Sequence, residues 1–168
     1  MIGNELRARC LAFRRRSYAQ PTYYEELQHA VQLEHPSWRI PPARELVIID
    51  RYREMFPDAF IDRRKEMVQP FGDEGIGVFA GWLPLVEEAL GKLAGLGGIV
   101  VTQIKEKFGA LTIHVGDPMS RDEARAIIED ARQASLFICE FCGQPGKSQR
   151  MASGWFKTMC ESCRARGA

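Results

Sequence analysis

Residues 139–163 have the sequence CEFCGQPGKSQRMASGWFKTMCESC, which begins and ends with a CxxC pair. Two such pairs supply four thiolates, and a hairpin that brings them together completes a tetrahedral site with Zn–S bonds of about 2.3 Å. The spacing therefore predicts one structural Zn²⁺ held by Cys139, Cys142, Cys160 and Cys163. A redox CxxC and a disulfide framework are the alternative interpretations, and neither pair has the βαβ context of a redox motif.

A shell of four sulfurs has no open coordination position, so the predicted metal would not activate water. An HNH endonuclease needs a histidine in its finger hairpin, and no histidine lies between Cys142 and Cys160. The sequence also lacks the His-x-Glu of a zinc deaminase, a Walker A loop and a GxSxG elbow. We therefore predict a non-enzymatic protein with no catalytic residues and no cofactor besides zinc.

Composition indicates a globular protein with one main core. Of 168 residues, 45% are hydrophobic and 27% are charged, and the formal net charge is +1. No apolar run approaches the roughly 20 residues that span a membrane, and the N-terminus lacks a signal-peptide pattern. These features predict a cytoplasmic location and no membrane partner.

The periodicity of apolar residues predicts an α+β fold with a helical N-terminal part. Helices are expected over 22–34, between Pro42 and Pro57, over 84–96 and over 120–135. A central β-hairpin is expected over 99–115 in a small antiparallel sheet, with a turn at Gly109-Ala110.

This hairpin would place Phe108 opposite Leu111 and Glu106 opposite Ile113, all on the apolar side. Glu106 is then an acid among core residues. Either a bulge or a sheet edge lets its carboxylate reach solvent, or the carboxylate is buried and paired with an arginine from a helix.

The sequence of residues 139–168 predicts a knuckle at 139–143, a hairpin around Ser153-Gly154 and a short helix of about two turns from Cys160. This order resembles the treble clef of GATA-type zinc fingers. Only five residues follow Cys163, which argues against the long recognition helix of that family. We expect a core domain over 1–138 and a finger over 139–168, docked through the apolar residues at 136–138.

Four motifs resemble those of small proteins encoded by bacteriophages, prophages and other bacterial loci. They are GWLPLVEEAL (81–90), VTQIKEKFGALTIHV (101–115), CEFCGQPG (139–146) and GWFKTMCESC (154–163). The resemblance implies a phage or bacterial setting and carries no catalytic residues.

The expected function is therefore binding. The first hypothesis is a protein partner, with the chain acting as an inhibitor, immunity protein or antagonist of a host factor, because its middle part is acidic. The alternative is a nucleic-acid-associated regulator that uses the finger and the basic N-terminal segment. The candidate partner-binding residues are Lys105, Lys107, Arg150, Lys157, Arg14, Arg15 and Arg16.

Overall fold

A computed structural model describes residues 40–57, 76–116, 122–152 and 154–166. Its helices are α1 (Pro42–Arg51), α2 (Leu83–Leu96), α3 (Asp122–Ser135) and α4 (Glu161–Ala165), with 3-10 turns at Arg53–Met55 and Ala80–Trp82. Its strands are β1 (Ile76–Gly77), β2 (Val101–Lys107), β3 (Ala110–Val115), β4 (Lys147–Arg150) and β5 (Phe156–Met159). The α+β class is confirmed. The predicted helix over 22–34 and the first two residues of the helix predicted over 120–135 lie outside the described residues.

Helix α1 buries a face that the apolar spacing only partly predicted. The spacing predicts an apolar stripe of Leu46, Ile49, Tyr52 and Phe56. Ile49 and Phe56 are buried as expected, but Leu46 is exposed, and Ile48 and Glu45 are buried although they lie outside the stripe. The Glu45 carboxylate accepts a hydrogen bond of 3.0 Å from the backbone N–H of Ile76. A buried carboxylate thus satisfies a backbone donor of β1, a role that outweighs the residue's low hydrophobicity.

The predicted antiparallel sheet is wrong in one strand, because the three-stranded sheet β1-β2-β3 is mixed. β2 and β3 form the expected antiparallel hairpin, but β1 pairs with β2 in parallel, with Ile76 opposite Ile104. The physical reason is the connection, since α2 lies between β1 and β2 and returns the chain to the same end of the sheet.

The hairpin turn lies one residue earlier than predicted, at Phe108-Gly109. Lys107 pairs with Ala110, and Glu106 pairs with Leu111 rather than Ile113. Both turn residues have positive φ, 54° for Phe108 and 76° for Gly109, as a two-residue type I′ turn requires. The register error amounts to two residues, so Glu106 and Leu111 stay on the predicted face.

The main core lies between this sheet and two helices. α2 packs against α3, and α3 packs against β3. α2 begins at Leu83, one residue before the predicted start, with proline in its first turn. α3 buries Ala124 and Ala131 against this core and packs Ile127 and Ile128 at its edge, as its apolar stripe predicted.

Residues after 138 form a knuckle, the β4–β5 hairpin and α4, in the predicted order. Arg150 pairs with Phe156 at the turn end of this hairpin, and Met151 N–H donates to Trp155 O across the turn. α4 has five residues, little more than one turn, rather than two. Within the described ranges, no helix has the length and hydropathy needed to cross a bilayer.

Candidate metal centre

The fold brings the four predicted cysteines together. One Sγ atom from each of Cys139, Cys142, Cys160 and Cys163 lies within 4.8 Å of every other, and the Cys142 and Cys160 sulfurs are 3.6 Å apart. Sulfurs at the corners of a Zn–S₄ tetrahedron are separated by about 3.8 Å, since each bond measures about 2.3 Å. The donor set and its spacing therefore fit one zinc ion.

Local backbone geometry positions the first cysteine pair. Gly143 N–H donates to Cys139 O over 2.9 Å, and Cys139 N–H donates to Gln144 O over 2.8 Å. Gly143 has φ 75°, a conformation that favours glycine, so the chain turns sharply behind the pair. The knuckle is thus built by the CxxCG sequence itself.

The second pair lies at the start of α4. Cys160 is the residue before the helix, and its sulfur accepts a hydrogen bond from Cys163 N–H at 3.4 Å. The Arg166 guanidinium, one turn further along, lies 3.6 Å from Cys163 Sγ. The short helix and the two residues that flank it therefore supply two sulfurs and a cation beside them.

Burial divides the four thiols. Cys139 and Cys163 are buried, whereas Cys142 is exposed. Desolvation raises the pKa of Cys139 and that of Cys163. At Cys160, desolvation is outweighed by hydrogen bonds from Cys163 N–H and the neighbouring thiols, which lower its pKa to about 7. Buried thiols ionise when a cation compensates their charge, which is what Zn²⁺ would supply.

A buried ion cluster joins the metal centre to the central hairpin. Lys157 Nζ on β5 lies 2.9 Å from Glu106 Oε2 on β2 and 3.2 Å from Glu140 Oε2 in the knuckle. Glu140 is fully buried, and desolvation raises its pKa to about 7 against the opposing charge of Lys157. We call these three residues the junction triad.

The junction triad answers the question that the sequence left open at Glu106. Its carboxylate is buried, with 6% of the side chain exposed, and it also accepts a hydrogen bond from Gly109 N–H at 2.6 Å. Among the described residues, a lysine from the finger, Lys157, pairs with it. The Lys157 side chain is 13% exposed, so most of it also lies inside the protein.

The segment Gly81-Trp82 forms a second contact with the knuckle. Gly81 N–H donates to Glu140 O over 2.9 Å, and the Trp82 indole donates to Ile138 O over 2.7 Å. A Cβ on Gly81 would lie 2.6 Å from Glu140 O and closer still to Cys139 O. Only glycine fits at this approach of two backbones.

The hairpin turn makes a third contact. Thr158 Oγ donates to Gly109 O over 2.6 Å, and a Cβ on Gly109 would lie 3.2 Å from Ser148 Oγ. The KFG sequence at 107–109 thus packs directly on β4 and β5. The four motifs noted in the sequence meet at this junction, which the motifs themselves did not predict.

The predicted partner-binding residues fall into different environments. Lys107 and Arg150 are exposed, Lys105 is half-buried, and Lys157 lies in the junction triad. Arg14, Arg15 and Arg16 lie outside the described residues. The sequence signal that pointed to the junction triad was Glu106, an acid on an apolar strand face. Lys157 and Glu140 could be identified as its neighbours only from the tertiary structure.

Comparison with known proteins finds no matching family model, no matching curated protein and no matching solved structure.

Proposed function

We propose that the four cysteines bind one Zn²⁺ in a treble-clef finger and that the metal is structural. The support is the closed set of four sulfurs on a knuckle and a helix start, which leaves no coordination position for a substrate. Zinc would hold the knuckle against α4 and so keep Glu140 in place beside Lys157.

We further propose that the chain acts by binding a protein, as an inhibitor, immunity protein or antagonist of a host factor of phage or bacterial origin. The observation that carries this proposal is the acidic outer face of α3. Four exposed carboxylates accompany two arginines on that helix: Asp122, Glu123, Glu129 and Asp130, with Arg125 and Arg132. Such a face complements a basic partner and favours rapid association with it.

A preorganised scaffold supports the same proposal. The buried junction triad and the backbone contacts of Gly81 fix the finger on the hairpin. Binding through a rigid body costs less conformational entropy than binding through a mobile one. Zinc would serve binding indirectly, by maintaining this body.

The test is a pull-down from bacterial lysate with the zinc-loaded chain, with and without nuclease, compared with the double variant Glu123→Lys/Asp130→Lys. Both positions are exposed, so the variant should fold and retain zinc. We expect one stoichiometric protein that survives nuclease and is lost with the double variant. Retention of nucleic acid alone, or of the same protein by the double variant, would contradict the proposal.

A nucleic-acid-associated role is the second candidate. The observation that favours it is an exposed aromatic ring beside a lysine at the tip of the β2–β3 hairpin, with Lys107 Nζ 5.7 Å from the centre of the Phe108 ring. This candidate concerns a surface different from the acidic face of α3.

A further inference from the structure

Two hairpins that pack against each other each carry an exposed phenylalanine. Phe108, in the β2–β3 turn, is 67% exposed, and Phe156, at the start of β5, is 42% exposed. Gly109 lies against the backbone of Lys157, the neighbour of Phe156, since a Cβ on Gly109 would be 3.3 Å from Lys157 N. The two phenylalanines therefore belong to abutting segments of one surface.

Exposed cations accompany these rings. Lys107 lies beside the Phe108 ring, and Arg150 pairs with Phe156 across β4 and β5. We call Phe108, Phe156, Lys107 and Arg150 the aromatic–basic surface. Each hairpin contributes one ring and one cation to it.

The surroundings of this surface carry positive charge. Residues 101–116 and the described part of 139–166 contain seven lysines and arginines against three glutamates, and four thiolates with Zn²⁺ would add −2 and leave a net charge of +2. Glu106 and Glu140 are buried with Lys157, so Glu161 is the exposed acid in these ranges. Desolvation and the nearby charges of Lys105 and Lys107 lower the pKa of His114 on the same hairpin.

Phe108 occupies a position that its residue type does not favour. Its φ of 54° is left-handed, where a bulky side chain is strained and where asparagine or glycine is preferred in a type I′ turn. The ring is also largely outside the core, so burial does not compensate for the strain. A bulky side chain at a strained and exposed position indicates a role in binding.

We propose that the aromatic–basic surface binds single-stranded nucleic acid. Unpaired bases stack on exposed aromatic rings, and neighbouring lysines and arginines contact the phosphates. A duplex keeps its bases stacked inside and would leave the two rings unused. An acidic peptide would use the two cations but not the flat faces of both rings. The proposal rests on the nucleic-acid-associated candidate above and uses a surface other than the acidic α3 face, so it can fail without the protein-binding proposal.

The probe is a fluorescein-labelled oligothymidylate of about 12 nucleotides, within the range of site sizes for single-strand binders. Fluorescence anisotropy is measured with the zinc-loaded full chain over a series of salt concentrations. We expect binding that weakens as salt rises and that is stronger than for a duplex of the same length. Lys107→Gln should reduce the slope of log K against log salt by about 0.7, the value for one phosphate contact on a single strand.

The decisive variant is Phe108→Asn, because asparagine suits the left-handed turn and should preserve the fold. We expect it and Phe156→Ala each to weaken binding roughly 5- to 100-fold, the effect of one lost base stack. Phe137→Ala is the matched control, since Phe137 is 69% exposed but lies in the turn after α3.

Four outcomes would overturn the proposal. Three are no binding of the oligonucleotide at low salt, unchanged affinity in Phe108→Asn and Phe156→Ala, and an equal loss in Phe137→Ala. Displacement of the oligonucleotide by polyglutamate at equal charge concentration would also overturn it, because the surface would then select acidic chains rather than bases. The pull-down is repeated with Phe108→Asn. If this variant loses the oligonucleotide but still retains the nuclease-resistant protein, the nucleic-acid surface is distinct from the proposed protein-binding surface.

Discussion

Lys157 and Glu106 form an ion pair of 2.9 Å between β5 of the finger and β2 of the central hairpin. Both side chains are nearly removed from solvent, and Glu140 of the knuckle completes the cluster on the other side of the same ammonium. The sequence distance between Lys157 and Glu106 is 51 residues, so the pair is a tertiary contact that ties the metal centre to the sheet.

Replacement of Lys157 by methionine should destabilise the protein strongly. The change removes the ammonium that Glu106 and Glu140 share, and breaking a buried pair costs about 3–5 kcal/mol of unfolding free energy. Urea denaturation followed by circular dichroism measures the loss. Lys147→Met is the control, because Lys147 is exposed on the paired strand β4 and its loss should change stability by less than about 0.5 kcal/mol. Equal stability of the two variants would contradict the buried triad.

Replacement of Cys160 by serine should remove zinc and destabilise the finger. The change leaves three sulfurs, and metal affinity in such sites is largely folding free energy. Zinc content by mass spectrometry and the melting temperature should both fall. Cys10→Ser is the control, since Cys10 is far in sequence from both CxxC pairs. Unchanged zinc content and melting temperature in Cys160→Ser would show that the site is misassigned.

Replacement of Gly81 by alanine should separate the knuckle from the start of α2. The new Cβ would lie 2.6 Å from Glu140 O, a backbone atom that cannot move without displacing the cysteine pair. We expect a loss of about 3 kcal/mol or more, the range of overpacked and strained sites, and faster zinc transfer to a chelator.

Gly95→Ala is the matched control for that substitution. Gly95 lies in α2 with no atom within 4 Å of an added Cβ, so alanine should stabilise the helix by up to about 1 kcal/mol. Opposite shifts of the melting temperature in the two variants would confirm the close approach at Gly81. A shift in the same direction would contradict it.

Replacement of Phe108 by asparagine should stabilise the hairpin. Phe108 has φ 54°, and asparagine followed by glycine is the preferred sequence of a type I′ turn. We expect a gain of about 0.5–1 kcal/mol, the scale of a relieved left-handed residue, measured by thermal unfolding. A loss of stability would show that the Phe108 ring contributes packing despite its exposure.

Several elements were predictable because their signals are local. Proline at the first turn and glycines after Leu96 bound α2, and alternation of apolar residues located β2 and β3. The register was missed because glycine suits either position of a two-residue turn. The local sequence is therefore compatible with a turn at Gly109-Ala110 as well as at Phe108-Gly109. Packing of Gly109 on β4 and β5 selects the second arrangement, and no local signal carries that contact.

The sequence by itself determined which four cysteines form the candidate metal site. The CxxC spacing is a local property, and any fold that brings the two pairs together yields the same four sulfurs. It also determined the helix and hairpin segments, through period and turn chemistry. Only the tertiary structure decided that Lys157 pairs with both Glu106 and Glu140, that the backbone of Gly81 lies against the knuckle, and that β1 pairs in parallel with β2. These features depend on contacts between residues distant in the chain, whose partners are chosen by burial and by the exclusion of water from the junction.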